Sequence, residues 1–359
     1  MSLKHLQKSR LFLFLFLLII GLLAGCGSSE RVSSTEKPAA TSTETNTQQE
    51  GNSTQASSET EKKVFTIGIT QIVEHPALDA AKEGFIKALA DNGYVDGEKV
   101  KFDQQNAQGS RDTATSIAQK FVADKVDMIF AIATPTAQAA AQATADIPIL
   151  ITAVTDPVAA GLVKSNERPE TNVTGTTDMN PVKEQLSLVT KVKPDAKKVG
   201  ILYNSGETNS EVQIKLAESV APELGLELVL KGITNSSEVQ QAAQSLVGKV
   251  DAIYVPTDNT VVSALESVLG VAEQAKIPVV AGEGDSVRRG AVITYGLDYY
   301  KLGYQTGEMA IKVLNGTDPS TMPIETQKDM QLIVNKKAAA NMGVELSEEL
   351  LKEADEVIE

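Results

Sequence analysis

Short apolar runs alternate with amphipathic segments along most of the chain, from about residue 64 onwards. The run at 64–70 indicates a buried strand, and the next segment places Leu78 and Phe85 on one face of a helix that ends before Gly93. Further strands are predicted at 100–104, 128–132 and 147–151, with helices between them. Apolar strands separated by amphipathic helices are typical of a parallel sheet covered on both faces.

The same order of elements returns in the second half of the chain. Strands are predicted at 199–203 and 226–230, and the string Val250-Asp251-Ala252-Ile253 repeats Val126-Asp127-Met128-Ile129. We therefore predict an α/β protein with two like-built lobes, each a doubly wound parallel sheet.

The last part of the chain is expected to be divided between the lobes. A helix at 299–315 would return to the first lobe, and a strand at 330–334 would end in the second. This gives an N-terminal lobe of 64–178 plus 296–322 and a C-terminal lobe of 179–295 plus 323–359. Two independent Rossmann-like domains that share no site are the alternative.

The N-terminus has the order of an export signal. Basic residues precede an apolar run at 11–24, which closes with Leu23-Ala24-Gly25-Cys26. This tetrapeptide resembles the lipobox of bacterial lipoproteins, which implies that residues 1–25 are removed and that Cys26 is lipidated. The alternative is an uncut signal-anchor helix, although the apolar run is shorter than the roughly 20 residues that a span needs. Residues 26–63 are rich in Ser, Thr, Glu and Gln, so they are predicted to form a disordered tether.

Composition narrows the function classes. The net charge of −14 argues against nucleic acid as a partner. The chain contains one cysteine and two histidines and lacks a phosphate-binding glycine loop. We expect no metal, no cofactor and no catalytic residue.

Candidate binding residues follow the carboxyl ends of the predicted strands, where open parallel sheets bind ligands. If the lobes face each other, these side chains meet in one cleft. The candidates are Gln71, Glu74, His75, Thr134, Thr136 and Asp156 in the first lobe, and Asn204, Ser205, Glu207, Asn209, Asp258, Asn259 and Glu283 in the second.

The candidates suit a zwitterion. Thr134 is predicted to cap a helix with Pro135 in its first turn, and the free N–H groups there would bind a carboxylate. Asp156, Glu207 and Asp258 are candidate partners of an ammonium group. For each of them, an ordinary capping or turn role is the alternative.

Aromatic and imidazole groups near the same strand ends are further candidates. Tyr203, Tyr254 and Tyr295 could flank a planar side chain, with core packing as the alternative, favoured for Tyr254. His75 precedes a proline at a helix start, where capping or packing is the alternative to ligand contact.

Several strings resemble the solute-binding lipoproteins of ABC importers, in particular a family with tryptophan- and tyrosine-binding members. They are Glu74-His75-Pro76-Ala77-Leu78-Asp79, Ala133-Thr134-Pro135-Thr136, Val154-Thr155-Asp156-Pro157, Pro256-Thr257-Asp258-Asn259 and Tyr295-Gly296-Leu297-Asp298-Tyr299-Tyr300. The resemblance implies a type I periplasmic-binding-protein fold with three crossovers, near Asp178, Tyr295 and Met322. It also implies an aromatic amino acid, namely Trp, Tyr or Phe, enclosed between the lobes.

The resulting hypothesis is a lipid-anchored, monomeric capture protein at the extracellular face of the cytoplasmic membrane. It would close around the amino acid and deliver it to an ABC permease. The alternatives are the ligand-binding lobe of an extracellular sensor and a binding protein for another small polar solute. A secreted hydrolase is disfavoured because no G-x-S-x-G string accompanies a suitable histidine.

Overall fold

A computed structural model describes residues 63–359. The predicted export signal, Cys26 and nearly all of the tether lie outside the described residues. Within this range, no helix combines the length and apolar character needed to cross a bilayer.

The first lobe is built on a six-stranded parallel sheet in the order β2-β1-β3-β4-β5-β11. Its strands, numbered along the whole chain, are β1 (Phe65–Gln71), β2 (Val100–Asn106), β3 (Met128–Ile132), β4 (Ile149–Val154), β5 (Val173–Thr177) and β11 (Glu325–Thr326). Its helices are α1 (Pro76–Asp91), α2 (Arg111–Ala123), α3 (Thr134–Ala143) and α10 (Tyr299–Leu314). Strands β3 and β4 are buried along their whole length, as expected for strands with helices on both faces.

The second lobe repeats this arrangement in the order β7-β6-β8-β9-β10-β12-β13. Its strands are β6 (Lys198–Asn204), β7 (Glu227–Ile233), β8 (Ala252–Val255), β9 (Val279–Ala281), β10 (Ile293–Gly296), β12 (Gln331–Asn335) and β13 (Glu356–Ile358). Its helices are α4 (Val182–Val192), α5 (Thr208–Val220), α6 (Val239–Gln244), α7 (Asn259–Ser263), α8 (Leu265–Ala275), α9 (Gly284–Arg289), α11 (Lys336–Asn341) and α12 (Glu348–Glu353). The predicted two-lobed α/β fold is confirmed, with one exception to the parallel pattern, since β12 runs antiparallel to β10.

Each lobe has its own hydrophobic core. Helix α10 belongs to the first core, where Gly303 packs so closely on α1 that a Cβ atom would lie 1.8 Å from the Ala81 carbonyl oxygen. Tyr254 is fully buried in the second core, which agrees with its predicted packing role.

The chain crosses between the lobes three times, at 178–181, 297–298 and 327–330. The third crossover comes later than expected from Met322. Glu325 and Thr326 still pair with Thr176 and Thr177 in the first sheet, and the chain reaches the second sheet only at Gln331.

Candidate functional site

A small cavity lies between the lobes and has an empty volume of about 300 Å³. Its lining residues are His75, Ala77, Leu78, Ala153, Asp178, Asn209, Thr257, Asp258, Asn259, Val262, Glu283 and Tyr299. Because both lobes contribute, the alternative of two domains without a common site does not hold.

The first lobe presents the N-terminus of α1 to the cavity. Pro76 begins the helix, as predicted, and the first intrahelical bond runs from the Asp79 N–H to the His75 carbonyl oxygen at 3.0 Å. The N–H groups of Ala77 and Leu78 precede that bond, and neither has an acceptor among residues 63–359. Such N–H groups and the helix dipole together favour an anion.

His75 occupies the N-cap position of α1, but its side chain does not cap the helix. The imidazole is buried, and neither ring nitrogen has a hydrogen-bond partner in the described part of the chain. Burial, and to a smaller extent the positive charge of Arg289, lower the pKa of His75 to about 3. At neutral pH the ring is therefore uncharged and offers one donor and one acceptor.

Asp178 on the first crossover and Tyr299 at the start of α10 form another part of the cavity wall. The Asp178 Oδ2 atom accepts a hydrogen bond from the Tyr299 hydroxyl at 2.5 Å, whereas Oδ1 is buried without a partner in residues 63–359. Burial raises the pKa of Asp178, although the Tyr299 hydrogen bond opposes this shift. An unpaired buried carboxylate oxygen is costly, so a donor from a ligand would be favourable.

The second lobe contributes two more carboxyl groups, each of which caps a helix. Asp258 accepts hydrogen bonds from the Val261 N–H at 2.9 Å, the Asn204 N–H at 2.6 Å and the Ser210 hydroxyl at 2.6 Å. Burial raises the pKa of Asp258.

Glu283 caps α9 by accepting from the backbone N–H of Ser286 at 3.0 Å and from its hydroxyl. Burial, and to a smaller extent the nearby charge of Asp285, raise the pKa of Glu283 to about 7. Asp258 and Glu283 are thus held firmly by their own lobe while facing the cavity.

Two asparagines complete the polar lining. Asn209 is buried and its Oδ1 atom has no donor among the described residues. The Asn259 side-chain amide donates to Glu207 Oε2 at 2.8 Å. Burial raises the pKa of Glu207 to about 7, assisted by the charge of Asp258.

The ionisable side chains of the cavity wall are mainly acidic. Asp178, Asp258 and Glu283 line it, and no lysine or arginine is among its lining residues. A buried group of carboxyls is stabilised by a positive charge between them. The arrangement therefore favours a ligand with a cationic group, and the free N–H groups of α1 provide a place for an anionic one.

Five predicted residues line the cavity, and the structure brings them together from both lobes. They are His75, Asn209, Asp258, Asn259 and Glu283. Glu207 lies directly behind Asn259 and lines a neighbouring cavity of about 450 Å³ that both lobes also form.

The other predicted residues of the first lobe do not line the cavity. The Gln71 amide donates to the Val73 carbonyl oxygen at 2.8 Å and to Asp79 at 3.0 Å, and Glu74 is solvent-exposed. Asp156 caps its own turn, because its Oδ1 atom accepts from the N–H groups at 158 and 159 at distances of 3.0 and 2.9 Å.

The two predicted threonines at the start of α3 are buried but do not line the cavity. Ala133, with φ of 82°, takes the N-cap position, so Thr134 is the first helical residue and not the predicted cap. The Thr134 hydroxyl has no partner among the described residues, and the Thr136 hydroxyl donates to the Ile132 carbonyl oxygen at 2.7 Å.

In the second lobe, Asn204 and Ser205 have local roles. The Asn204 amide donates to the Thr260 hydroxyl at 2.8 Å, and Ser205 is exposed on the turn after β6. Tyr203 and Tyr295 likewise do not line the cavity.

The strand-end rule missed several lining residues. The rule does not select Asp178, which the resemblance places only at a crossover, or Tyr299, which begins the helix predicted after the second crossover. A carboxylate on a hinge segment is nevertheless a signal that sequence reasoning can use. Ala153 has φ of 54° at an irregularity in the pairing of β4 with β5, and no sequence pattern reveals this strained conformation. The remaining lining residues that the rule does not select are Ala77, Leu78, Thr257 and Val262.

Two similar α/β lobes, three crossovers and a cavity between the lobes define the type I periplasmic-binding-protein fold. A family model described as ABC transporter substrate binding protein matches residues 66–358. The chain therefore belongs to this family of transport proteins.

Three similar proteins carry informative descriptions. A tyrosine-binding protein from Clostridioides difficile (strain R20291) is 52% identical over 285 residues, which cover 78% of this chain and 83% of the relative. An ABC domain from Streptococcus pneumonia in complex with L-Trp is 35% identical, with a TM-score of 0.80 over 82% of this chain and 100% of that chain. A ligand-free, open substrate binding protein with adhesive properties from Clostridium difficile is 52% identical, with a TM-score of 0.63 over 82% of this chain and 99% of that chain.

Proposed function

We propose that this substrate-binding protein captures a free aromatic amino acid between its lobes. It releases the amino acid chemically unchanged to the permease of an ABC importer. The observation that carries the proposal is that unsatisfied groups of both kinds line the small cavity, namely the acceptor Asp178 Oδ1 and the N–H groups of Ala77 and Leu78.

The head group of an amino acid matches these two ends. Its carboxylate would bind the N–H groups at the start of α1, where the helix dipole adds to the attraction. Its ammonium group would bind Asp178, and the carboxyls of Asp258 and Glu283 add favourable charge. Charge-assisted hydrogen bonds of this kind are about twice as strong as neutral ones.

The cavity limits the size of the ligand. The cavity is small and has lining residues from both lobes, which suits a single amino acid better than a peptide. Leu78, Val262 and the ring of Tyr299 provide apolar surface for its side chain. The tyrosine-binding relative and the L-Trp complex support an aromatic side chain.

The arrangement of the lobes supports capture by closure. The TM-score is 0.80 against the L-Trp complex at 35% identity, but only 0.63 against the ligand-free, open protein at 52% identity. The protein is thus more similar in shape to the L-Trp complex than to the ligand-free, open protein. This is expected if the lobes described here are in the closed arrangement.

Thermal unfolding with each of the twenty amino acids tests the proposal. A ligand present at 100 times its dissociation constant stabilises the folded protein by about 2.7 kcal/mol. We expect the largest rise in melting temperature with Tyr, Trp or Phe and none with sugars or polyols. A protein that responds to none of the twenty, or only to a polyol, would contradict the assignment.

We also propose that Cys26 carries a lipid that holds the protein at the extracellular face of the cytoplasmic membrane. The support is the lipobox-like string at 23–26 and the membership of an ABC transporter family. Two acyl chains suffice for stable anchoring. Cys26→Ser should move the protein from the membrane fraction to the medium or leave it unprocessed, and an unchanged, fully processed membrane fraction would refute the lipid anchor.

A further inference from the structure

One fully buried amide side chain connects four parts of the second lobe. Gln185 on α4 donates from Nε2 to the carbonyl oxygens of Gly282 at 3.0 Å and Tyr295 at 2.9 Å. The same Nε2 lies 3.2 Å from Asn180 Oδ1, and Gln185 Oε1 accepts the Tyr254 hydroxyl at 2.6 Å. Every polar atom of this side chain is therefore satisfied by the protein.

The partners of Gln185 stand next to the cavity and the crossovers. Asn180 lies on the first crossover, and its amide donates to the Asp178 carbonyl oxygen at 2.9 Å. Gly282 directly precedes Glu283, and Tyr295 is the penultimate residue of β10 before the second crossover. The network thus joins the backbone of Asp178 to the backbone beside Glu283, and both of these carboxyls line the cavity.

Packing alone does not call for an amide at this position. The buried face of α4 is otherwise apolar, with Leu186 and Val189 fully buried beside Gln185. A leucine there would be the ordinary solution for a core-facing helix position. A buried amide avoids a desolvation cost only because all its hydrogen bonds are made, which also fixes its partners in one arrangement.

We infer that Gln185 is a positioning residue for ligand binding. It holds the first crossover and the turn between β9 and α9 so that Asp178 and Glu283 face one ligand at the same time. This inference rests on the proposed function, because it assigns Gln185 the task of orienting the groups that contact the ammonium end of the amino acid.

Two variants and a control test the inference. Gln185→Leu removes the whole network, whereas Tyr254→Phe removes only the hydroxyl that orients the amide. Asn172→Ala is the matched control in the first lobe, because the Asn172 amide similarly joins two carbonyl oxygens, of Thr144 at 3.1 Å and Ile147 at 2.8 Å. All three variants are expected to lower the melting temperature.

Ligand dissociation separates positioning from stability. The chain contains no tryptophan, so the fluorescence of added L-tryptophan reports its own binding in a stopped-flow experiment. We expect Gln185→Leu to dissociate L-tryptophan about tenfold faster and Tyr254→Phe roughly threefold faster, since one hydrogen bond contributes about 0.5–1.5 kcal/mol. Asn172→Ala should dissociate it at the wild-type rate.

A second measurement keeps the test independent of the ligand. In the ligand-free protein, amide hydrogen exchange at 178–181 and 282–283 should be faster in both network variants than in Asn172→Ala. If the wild type binds none of L-tryptophan, L-tyrosine and L-phenylalanine, the proposed function fails and hydrogen exchange alone decides the role of Gln185. If Gln185→Leu does not fold, Tyr254→Phe decides. Wild-type dissociation and wild-type exchange in Tyr254→Phe would overturn the inference, as would an equal acceleration in Asn172→Ala.

Discussion

Replacement of Asp178 by asparagine separates binding from stability. Asp178→Asn keeps the shape of the side chain and an oxygen that can accept the Tyr299 hydroxyl. It removes the negative charge of a buried group whose Oδ1 atom has no partner among the described residues. We therefore expect ligand affinity and ligand-free stability to respond in different directions.

The magnitudes follow from the contacts. A hydrogen bond to a charged group contributes about 1.5–3 kcal/mol, so the dissociation constant should rise about 10- to 150-fold. Burial raises the pKa of Asp178, which means that the charged form destabilises the folded, ligand-free protein. Near neutral pH, Asp178→Asn should leave the ligand-free melting temperature unchanged or higher.

Calorimetric titration with L-tyrosine and thermal unfolding without ligand are the two assays. Asp156→Asn is the control, because its carboxylate caps a turn outside the cavity. The control should lower the melting temperature slightly and leave the affinity unchanged. If Asp156→Asn weakens binding more than Asp178→Asn does, the assignment of the ammonium site is wrong.

Three further changes probe other parts of the molecule. The pKa of Glu283 is raised to about 7, so between about pH 4.5 and 7 the folded protein keeps a proton that the unfolded chain releases. The contribution of this group to the free energy of unfolding of the ligand-free protein should therefore fall by up to about 3 kcal/mol as pH rises through this range, and Glu283→Gln should flatten the pH profile. The lowered pKa of His75 makes its own contribution to stability rise with pH between about 3 and 6.5, so the Glu283→Gln variant is compared with the wild type at each pH. Arg111→Ala removes the hydrogen bond from the first lobe to the Gly206 carbonyl oxygen of the second and should speed ligand dissociation severalfold without altering the melting temperature of the ligand-free protein. Gly303→Ala places a methyl group against α1 and should cost about 3 kcal/mol or more in chemical denaturation.

The lobes and their repeat could be predicted because buried parallel strands are continuous apolar runs. The residues of β3 at 128–132 coincide with the predicted strand, and α1 begins at the predicted proline. The two-residue strand β11 could not be predicted, because so short a segment has no periodicity, and this explains the late third crossover. The antiparallel direction of β12 could not be predicted either, because a short apolar run does not indicate the direction of a strand.

The site could be predicted only in part, because the strand-end rule gives the position of a residue in the fold and not the direction in which its side chain points. Asp156 and Asp178 both follow strands of the first sheet, yet one caps its own turn and the other faces the cavity. Local turn geometry decides between these outcomes, and it depends on backbone angles such as the positive φ of Ala133 and Ala153. Composition cannot reveal such angles in residues other than glycine.

The unsatisfied groups of the cavity also explain how an amino acid would drive closure. A ligand shifts a conformational equilibrium only by its differential affinity for the two states. In the closed arrangement without ligand, His75, Asp178 and Asn209 keep buried polar atoms without partners in residues 63–359, and each such atom costs about 1–3 kcal/mol. Opening the cleft would return these atoms to water, and a zwitterion would satisfy them in the closed state. We therefore expect the ligand-free protein to be mainly open in solution. Small-angle scattering should show a smaller radius of gyration when the amino acid is added, and an equal radius in both states would contradict this account of closure.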